Sequence, residues 1–513
     1  MPEAGVGGPR LAEVVAALSL ATDLGLGQPM EHGLRSCLIA QRLAEVVGID
    51  RTERDATYWV TLLAMSGCTG DSSELAEVFG DDVAFRAGLY GVGPAVTDVP
   101  RYLLSKAGAD AGVVRRARIT AGLVLSRMDS VTKAFVADCT IAARLAESLG
   151  LGTDVSTPLV HRFTRWDGKG IPSGIGGEQI SVAARLLNLS WRMEAHYRTS
   201  GADAARDWLE QHAGATLDPH LVAAAVANLP ALVDGLDDDC WSAVVEGEPS
   251  RDRLAGPAYD AALEALADFA DLKSRWFGGH SRAVAELVEG AAWRTGMGQP
   301  EVDLVRRAAL VHALGRTGIP NTIWDKPTPL TVGERERMQL YPYLTDRILR
   351  RGSLAELADV ASQVHEHLDG SGYPRGSSGG AITPAGRLLA AAHAYQSLRE
   401  PRPHRTPLAD DVAATHLRDE VRDGRLDPDA VEAVLAAAGH RAQRHERAAP
   451  ADLTSREVEV LRLVATGLTS AQTATQLGIS VRTVNTHVEH IYTKIGATNR
   501  SVATLFAMQH GIV

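Results

Sequence analysis

Apolar residues recur at helical spacing through most of this chain, and the same phrases of the pattern occur twice. HGLRSCLIAQRLAEVVGI from His32 has the phasing of HSRAVAELVEGAAWRTGM from His280, an offset of 248 residues. At that offset LLAMSGCTG (62–70) lies over LVHALGRTG (310–318), bringing Gly67 against Gly315 and Gly70 against Gly318. Further on, WDGKGIP (166–172) lies over LDGSGYP (368–374) and ARLLNLSW (184–191) over GRLLAAAH (386–393), now at an offset of 202. The change of 46 marks an insertion in the first copy, within residues 71–160. A last echo, LDPHLV (217–222) against LDPDAV (426–431), closes each copy. Ordered matches of this kind describe an internal repeat. Gly/Pro turns separate the periodic segments and β-branched runs are few, so both copies are predicted to be mainly helical.

Pro249, Gly256 and Pro257 bracket the boundary between the copies, and the polar GHRAQRHERAAP (439–450) is expected to be a linker. Behind it, Thr454 and Glu457 make an S/T-x-x-E capping box ahead of a periodic run, and Thr469 and Gln472 repeat that logic. A turn at Gly478-Ile-Ser480 leads into VRTVNTHVEHIYTKIG. There Val484, Val488 and Ile491 fall on one face, leaving Arg482, Asn485, Thr486 and Glu489 outward. Helix, turn, helix is the reading. Asn suits adenine and Glu accepts from cytosine in a major groove.

At about 150 residues per domain, 513 residues predict about three domains. An apolar fraction of 45% and a charged fraction of 22% exclude wholesale disorder. No run approaches the ~20 apolar residues of a spanning helix, and Met1–Arg10 lacks a signal-peptide pattern, so a cytoplasmic location without membrane contact is expected. Cys37, Cys68, Cys139 and Cys240 form no C-x-x-C pair, which argues against a zinc ribbon or a disulfide framework. The net charge of −11 argues against a generally basic nucleic-acid binder, yet residues 450–513 carry five basic and four acidic side chains, a net +1.

Residues 452–513 resemble the LuxR-type helix-turn-helix domain over their whole length. The resemblance implies that Val481–Ile495 is the recognition helix, braced by Thr469–Leu477, and that the partner is double-stranded DNA. Where the family commonly places Lys, this chain has Asn485 and Glu489. Binding is therefore expected to depend on a homodimer, with Arg482, Thr483, Lys494 and Arg500 holding phosphate. The family's pairing through its last helix maps onto Ser501–Gln509, whose Val502, Leu505 and Phe506 make an apolar stripe.

The second copy, from about Trp276 to about Gly439, resembles the HD-GYP phosphohydrolases, helical metal-dependent phosphodiesterases of cyclic di-GMP. The resemblance rests on ALVHALGRTGIPNTIWDKPTPLT, on HEHLDGSGYPRG and on their spacing. Slot by slot, it implies that His280 and His312 are retained ligands, that Ala313 replaces the HD aspartate and that Arg316 replaces the following Lys. Tyr341-Pro342 stands where the family has a ligand His before Pro; the His-His-Glu triplet reads Val364-His365-Glu366; and His393 takes the place of the last Asp. One divalent metal on His280, His312, His365 and His393 is the candidate cofactor, no bridging carboxylate remains, and no catalytic residue is assigned. Glu366 is expected to pair with Arg387.

In the first copy only His32 survives. Ala64, Met65, Phe163 and Trp191 occupy former ligand positions, and they either fill the old site or line an apolar ligand pocket. The expected architecture is all-α: HD-GYP-like copies at 1–248 and 255–440, then a LuxR-type domain at 450–513. The expected function is a DNA-binding transcriptional regulator whose degenerate copies sense a small effector. The alternatives are a cyclic di-GMP phosphodiesterase, or a receptor that binds the nucleotide unhydrolysed through Arg316, Tyr373, Arg402 and Arg405.

Overall fold

The computed structural model describes residues 8–89, 98–108, 112–125, 129–441, 451, 453–510 and 512. Regular structure among them is helical, with only isolated β-bridges besides, as the periodicity predicts. The chain divides into two compact units, Met1–Arg441 and Ala442–Val513. The copy boundaries drawn near 248 and 255 lie inside the first unit, and most of the expected linker, 442–450, lies outside the described residues. Among the described residues no helix is long and apolar enough to cross a membrane.

The first unit is organised around the helix Leu11–Gly25. LAEVVAALSLATDLG is apolar on nearly every side, a pattern that requires burial all round, and Ala12 to Asp23 are all buried. Its side chains enter one hydrophobic core shared with Leu34 and Leu63 of the first copy and Leu263, Leu266, Phe269 and Val311 of the second. Matched segments of the two copies do matched work. Gly67 and Gly315 are points of backbone crossing, where an added Cβ would lie 1.8 Å from the Asp138 carbonyl oxygen and 2.1 Å from that of Tyr341. Asp218 and Asp427 cap the helices Pro219–Val233 and Pro428–Ala437, each with Pro at the first helical position. Arg185 reaches Asp218 at 2.7 Å and Arg387 reaches Asp427 at 3.0 Å. The Glu366–Arg387 pair expected from sequence is thereby corrected. Arg387 belongs to the helix cap, while Glu366 accepts the backbone N–H groups of Arg375 (2.8 Å) and Ser377 (2.7 Å).

A buried polar node joins the copies. Asp82, from the first copy's insertion, accepts the Lys273 ammonium at 2.6 Å, the Arg86 guanidinium at 3.1 Å and the Asn321 backbone N–H at 2.7 Å. Burial raises the Asp82 pKa, but Lys273 and Arg86 outweigh it and hold the carboxyl below its ordinary value. Lys273 is 1% exposed and Asp82 fully buried. Removing one member of such a pair strands the other charge. Asp82→Ala is expected to cost about 3–5 kcal/mol in urea denaturation of the full chain. Lys273→Met added to it should recover most of that loss, and a single-variant loss below about 1 kcal/mol would remove the node's structural role.

Candidate functional site

In the second copy three histidines converge from two helix ends and the middle of a third helix. His280 begins the helix His280–Thr295, His312 ends Gln299–Val311, and His393 lies on Pro384–Arg399. Thr383 caps the last of these, with Pro384 at the first helical position. His393 Nδ1 stands 3.1 Å from His280 Nε2 and 3.2 Å from His312 Nε2, and one nitrogen from each ring falls within 4.8 Å of the others. All three rings are buried.

Partners on the far side set the tautomers. His280 Nδ1 lies 2.8 Å from the Glu400 carboxylate and His312 Nδ1 lies 2.6 Å from the Ala309 carbonyl. Both partners accept only, so each Nδ1 carries the proton and each Nε2 presents a lone pair to the centre. Burial, reinforced by the Arg316 charge, pushes His280 down to about 4 and His365 to about 3, with His312 well below its ordinary value. His393 is likewise low through burial and the neighbouring imidazoles. Neutral imidazoles oriented from behind by a carboxylate and a carbonyl fit a soft or borderline divalent cation.

His365, the fourth expected ligand, lies beside this set, its ring edge-on to His393 at 4.8 Å between centroids, but its Nε2 is engaged elsewhere. Its Nε2 meets the Tyr341 hydroxyl at 2.7 Å, and its ring stacks on Tyr373 at 4.6 Å between centroids. Arg316 is 2% exposed, packed over Phe277 (4.3 Å) and Tyr341 (5.4 Å), and its Nε and Nη1 have no hydrogen-bond partner. Arg402 and Arg405, expected to face phosphates, are engaged internally. Arg402 holds Glu400 (2.8 Å) and the Trp276 carbonyl (2.6 Å), and Arg405 holds the Leu398 carbonyl (3.0 Å). Sequence reasoning missed Glu400. Its signal was its spacing from His393 and Ser397 on one helical stripe.

The first copy's pocket expectation is corrected. Ala64 and Trp191 are buried, and the Trp191 ring meets His32 edge-on at 4.5 Å while its indole N–H reaches the Thr61 carbonyl at 3.4 Å. His32 is held by the Glu194 carboxylate. Arg162 donates to the Ala64 carbonyl, approaches Cys68 Sγ at 3.1 Å and passes over Phe163 at 4.3 Å. The Trp191 indole therefore fills the space before His32, and Arg162 is tied to the Ala64 backbone. Met65 instead borders a cavity of about 10 Å³, the size of one water.

In the second unit the helix Val481–Ile495 buries Val484 and Ile491 and exposes Arg482, Thr483, Asn485, Thr486 and Glu489, as predicted. Thr483 Oγ1 lies 2.8 Å from the capping Ser480, and Thr486 donates to the Arg482 carbonyl at 3.1 Å. Two expected phosphate contacts do internal work instead. Lys494 binds Glu457 at 2.8 Å, and Arg500 donates to the Val464 (2.5 Å) and Leu468 (3.1 Å) carbonyls. On the helix Arg500–Gln509, Val502, Leu505 and Met508 are exposed, while Phe506, expected in that stripe, is half-buried against the unit's core.

Residues 264–430 match the family described as HD domain, and residues 451–507 match bacterial regulatory proteins of the luxR family. The chain thus carries an HD domain and a C-terminal luxR-family domain. It is 27% identical over 428 residues to a 3'3'-cGAMP-specific phosphodiesterase of Vibrio cholerae, covering 82% of this chain and 92% of that one. A cyclic di-GMP phosphodiesterase of Thermotoga maritima is 33% identical over 177 residues, 34% of this chain and 47% of the relative. The crystal structure of a cyclic GMP-AMP specific phosphodiesterase of V. cholerae shares the fold, with a TM-score of 0.60 at 23% identity over 85% of this chain and 99% of that one.

Burial raises the Glu457 carboxyl, but Lys494 and the Thr454 N–H and hydroxyl outweigh it, bringing the pKa from 4.5 to about 2. Between these values the unfolded state binds more protons, so this contribution is complete above pH 4.5 and is lost as pH falls toward 2. The protection of helix Ser455–Ala465 in hydrogen exchange should exceed that of Glu457→Gln at neutral pH. The gap should close across this acid range, and a gap independent of pH would refute the linkage.

Proposed function

We propose that this chain, with its HD domain and luxR-family domain, is a sequence-specific DNA-binding transcriptional regulator. One contrast carries the reading. The reading helix is intact, with Arg482, Asn485 and Glu489 outward, while the HD domain has no carboxylate among its three converging histidines and a buried Ala313 where an aspartate ligand is expected. A two-metal hydrolytic centre needs an anionic bridge to hold cations a few Å apart. Three neutral imidazoles supply none.

The HD domain acts as a sensing module in this reading, holding one divalent cation on His280, His312 and His393. Such an ion would supply Lewis-acid charge at this buried centre, held by the chain's own imidazoles. The exposed stripe of Val502, Leu505 and Met508 supports a homodimer that presents two reading helices to two half-sites. A near-neutral reading domain gains little from bulk phosphate attraction, so paired half-sites carry the affinity.

A second reading keeps a cyclic dinucleotide as ligand or substrate. The named activities of the relatives favour it, and so does Arg316, buried near the histidines with its Nε free of hydrogen bonds and its Nη1 held only by the Asp271 carboxylate at 3.8 Å. Calorimetry and turnover assays with cyclic di-GMP and 3'3'-cGAMP, with iron or manganese added, separate the readings. Turnover establishes an enzyme, heat without turnover a receptor, and neither result leaves the regulator with another effector.

Two further outcomes are expected. On a selected operator, Asn485→Ala and Glu489→Ala should each weaken binding about 10- to 100-fold and relax preference at one base position, as gel-shift titration would measure. Equal affinity of the full chain for operator and scrambled DNA would end the proposal. Metal analysis should find about one divalent ion per chain and its loss in His312→Ala, because two imidazoles retain metal poorly.

A further inference from the structure

A groove of about 470 Å³ opens at the seam between the two copies, where the helix Cys240–Glu246 of the first faces the turn at Gly352 of the second. Its floor is rigid. Glu13, 5% exposed, accepts the N–H groups of Arg10 (2.8 Å) and Ser353 (2.7 Å). Gly352 turns there at φ +54°, and an added Cβ would stand 2.2 Å from Glu13 Oε1 and 3.4 Å from Trp241 Nε1. Only glycine keeps this corner open.

The Trp241 side chain is a built element of the lining. The residue is 6% exposed, yet among the described residues its indole N–H makes no hydrogen bond, and it borders the groove. An indole N–H with no protein partner at a groove wall can donate to what enters the groove. Beside it the Arg351 guanidinium lies 5.8 Å from the Trp241 ring centroid, with one nitrogen 2.5 Å from Glu31. An indole N–H next to a guanidinium matches a carboxylate, which accepts from several donors at once.

The rest of the charged lining has the opposite sign. Asp239 caps its helix, and the Ser242 hydroxyl (2.6 Å) and N–H (3.1 Å) hold its carboxyl below the ordinary value. Glu246 is exposed one turn beyond Ser242. Three carboxylates, Asp239, Glu246 and Glu13 on the floor with its two backbone N–H donors, disfavour a phosphate-rich ligand and match an ammonium group. The volume suits a small molecule.

We propose that this seam groove binds a zwitterionic small molecule of the amino-acid class, its carboxylate on Trp241 Nε1 and Arg351 and its ammonium on Asp239 and Glu246. Such a ligand touches both copies and thereby favours the arrangement in which Gly352 and Trp241 lie together. Its role as effector rests on the regulator reading above. Its binding does not, and needs neither metal nor DNA.

The test uses the purified full chain without DNA, the twenty proteinogenic L-amino acids supplied singly at millimolar concentration, and acetate and methylammonium as half-ligands. At least one amino acid should raise the melting temperature and give a saturable calorimetric isotherm. Neither half-ligand should match it. Trp241→Phe, which keeps the ring and removes the N–H, should weaken that binding about tenfold. Glu246→Gln, at an exposed position that leaves folding intact, should weaken it by a similar factor. The proposal is overturned if none of the twenty binds, if acetate or methylammonium alone binds as well, or if both variants bind like the parent. Failure of operator binding with this site intact would instead count against the regulator.

Discussion

A lysine buried to 1% exposure beside a fully buried aspartate constrains how the two copies of this chain can be arranged. Neither charge survives without the other in a medium of low dielectric, so Asp82 of the first copy and Lys273 of the second must stay together. The same carboxylate accepts the N–H of Asn321, whose side chain in turn holds the Lys273 carbonyl at 2.7 Å. The segments leading to His280 and away from Arg316 are thereby tied to the first copy's insertion. The histidine centre of the second copy is therefore built on a core that the first copy shares.

The two copies keep one frame around their first histidine and fill the space before it differently. Asp23 accepts the Gly33 N–H beside His32, and Asp271 accepts the Ser281 N–H beside His280, in corresponding positions. Both histidines are held through Nδ1 by a carboxylate. What differs is the space in front of the ring. In the second copy it receives two more imidazoles; in the first it receives the Trp191 indole, with Arg162 bonded to the Ala64 carbonyl. Dense packing explains the first copy's arrangement, because an empty space before a buried ring is costly and a flat indole fills it.

The luxR-family unit follows a parallel economy. With a net charge of +1 across residues 450–513, cations for phosphate are few, and four of the five basic side chains, Arg456, Arg462, Lys494 and Arg500, make bonds within the unit. Lys494 neutralises the buried capping carboxylate of Glu457, and Arg500 closes the end of the helix Ser455–Ala465. Arg482, Asn485 and Glu489 remain on the outward face, which favours reading by base edges over attraction to the backbone.

Local pattern was enough to read much of this molecule. Helical periodicity, capping boxes at Thr454 and Thr469 and the doubled LDP caps are short-range signals, because each involves residues within one or two turns. The repeat, the all-α class, the bounds of the helix Val481–Ile495 and the candidate ligands His280, His312 and His393 were legible for that reason. Contacts between distant segments were not. Whether Arg387 would meet Glu366 or Asp427, whether Lys494 would face DNA or Glu457, and whether Ala64 and Trp191 would enclose a pocket depend on which helices pack together. The sharing of one core between the copies, the pairing of Asp82 with Lys273 and the supporting role of Glu400 were likewise decided only in the tertiary structure. Composition and spacing specify what a side chain can do, but burial decides which partner it must take, since an unpaired polar group is penalised only once water has been excluded.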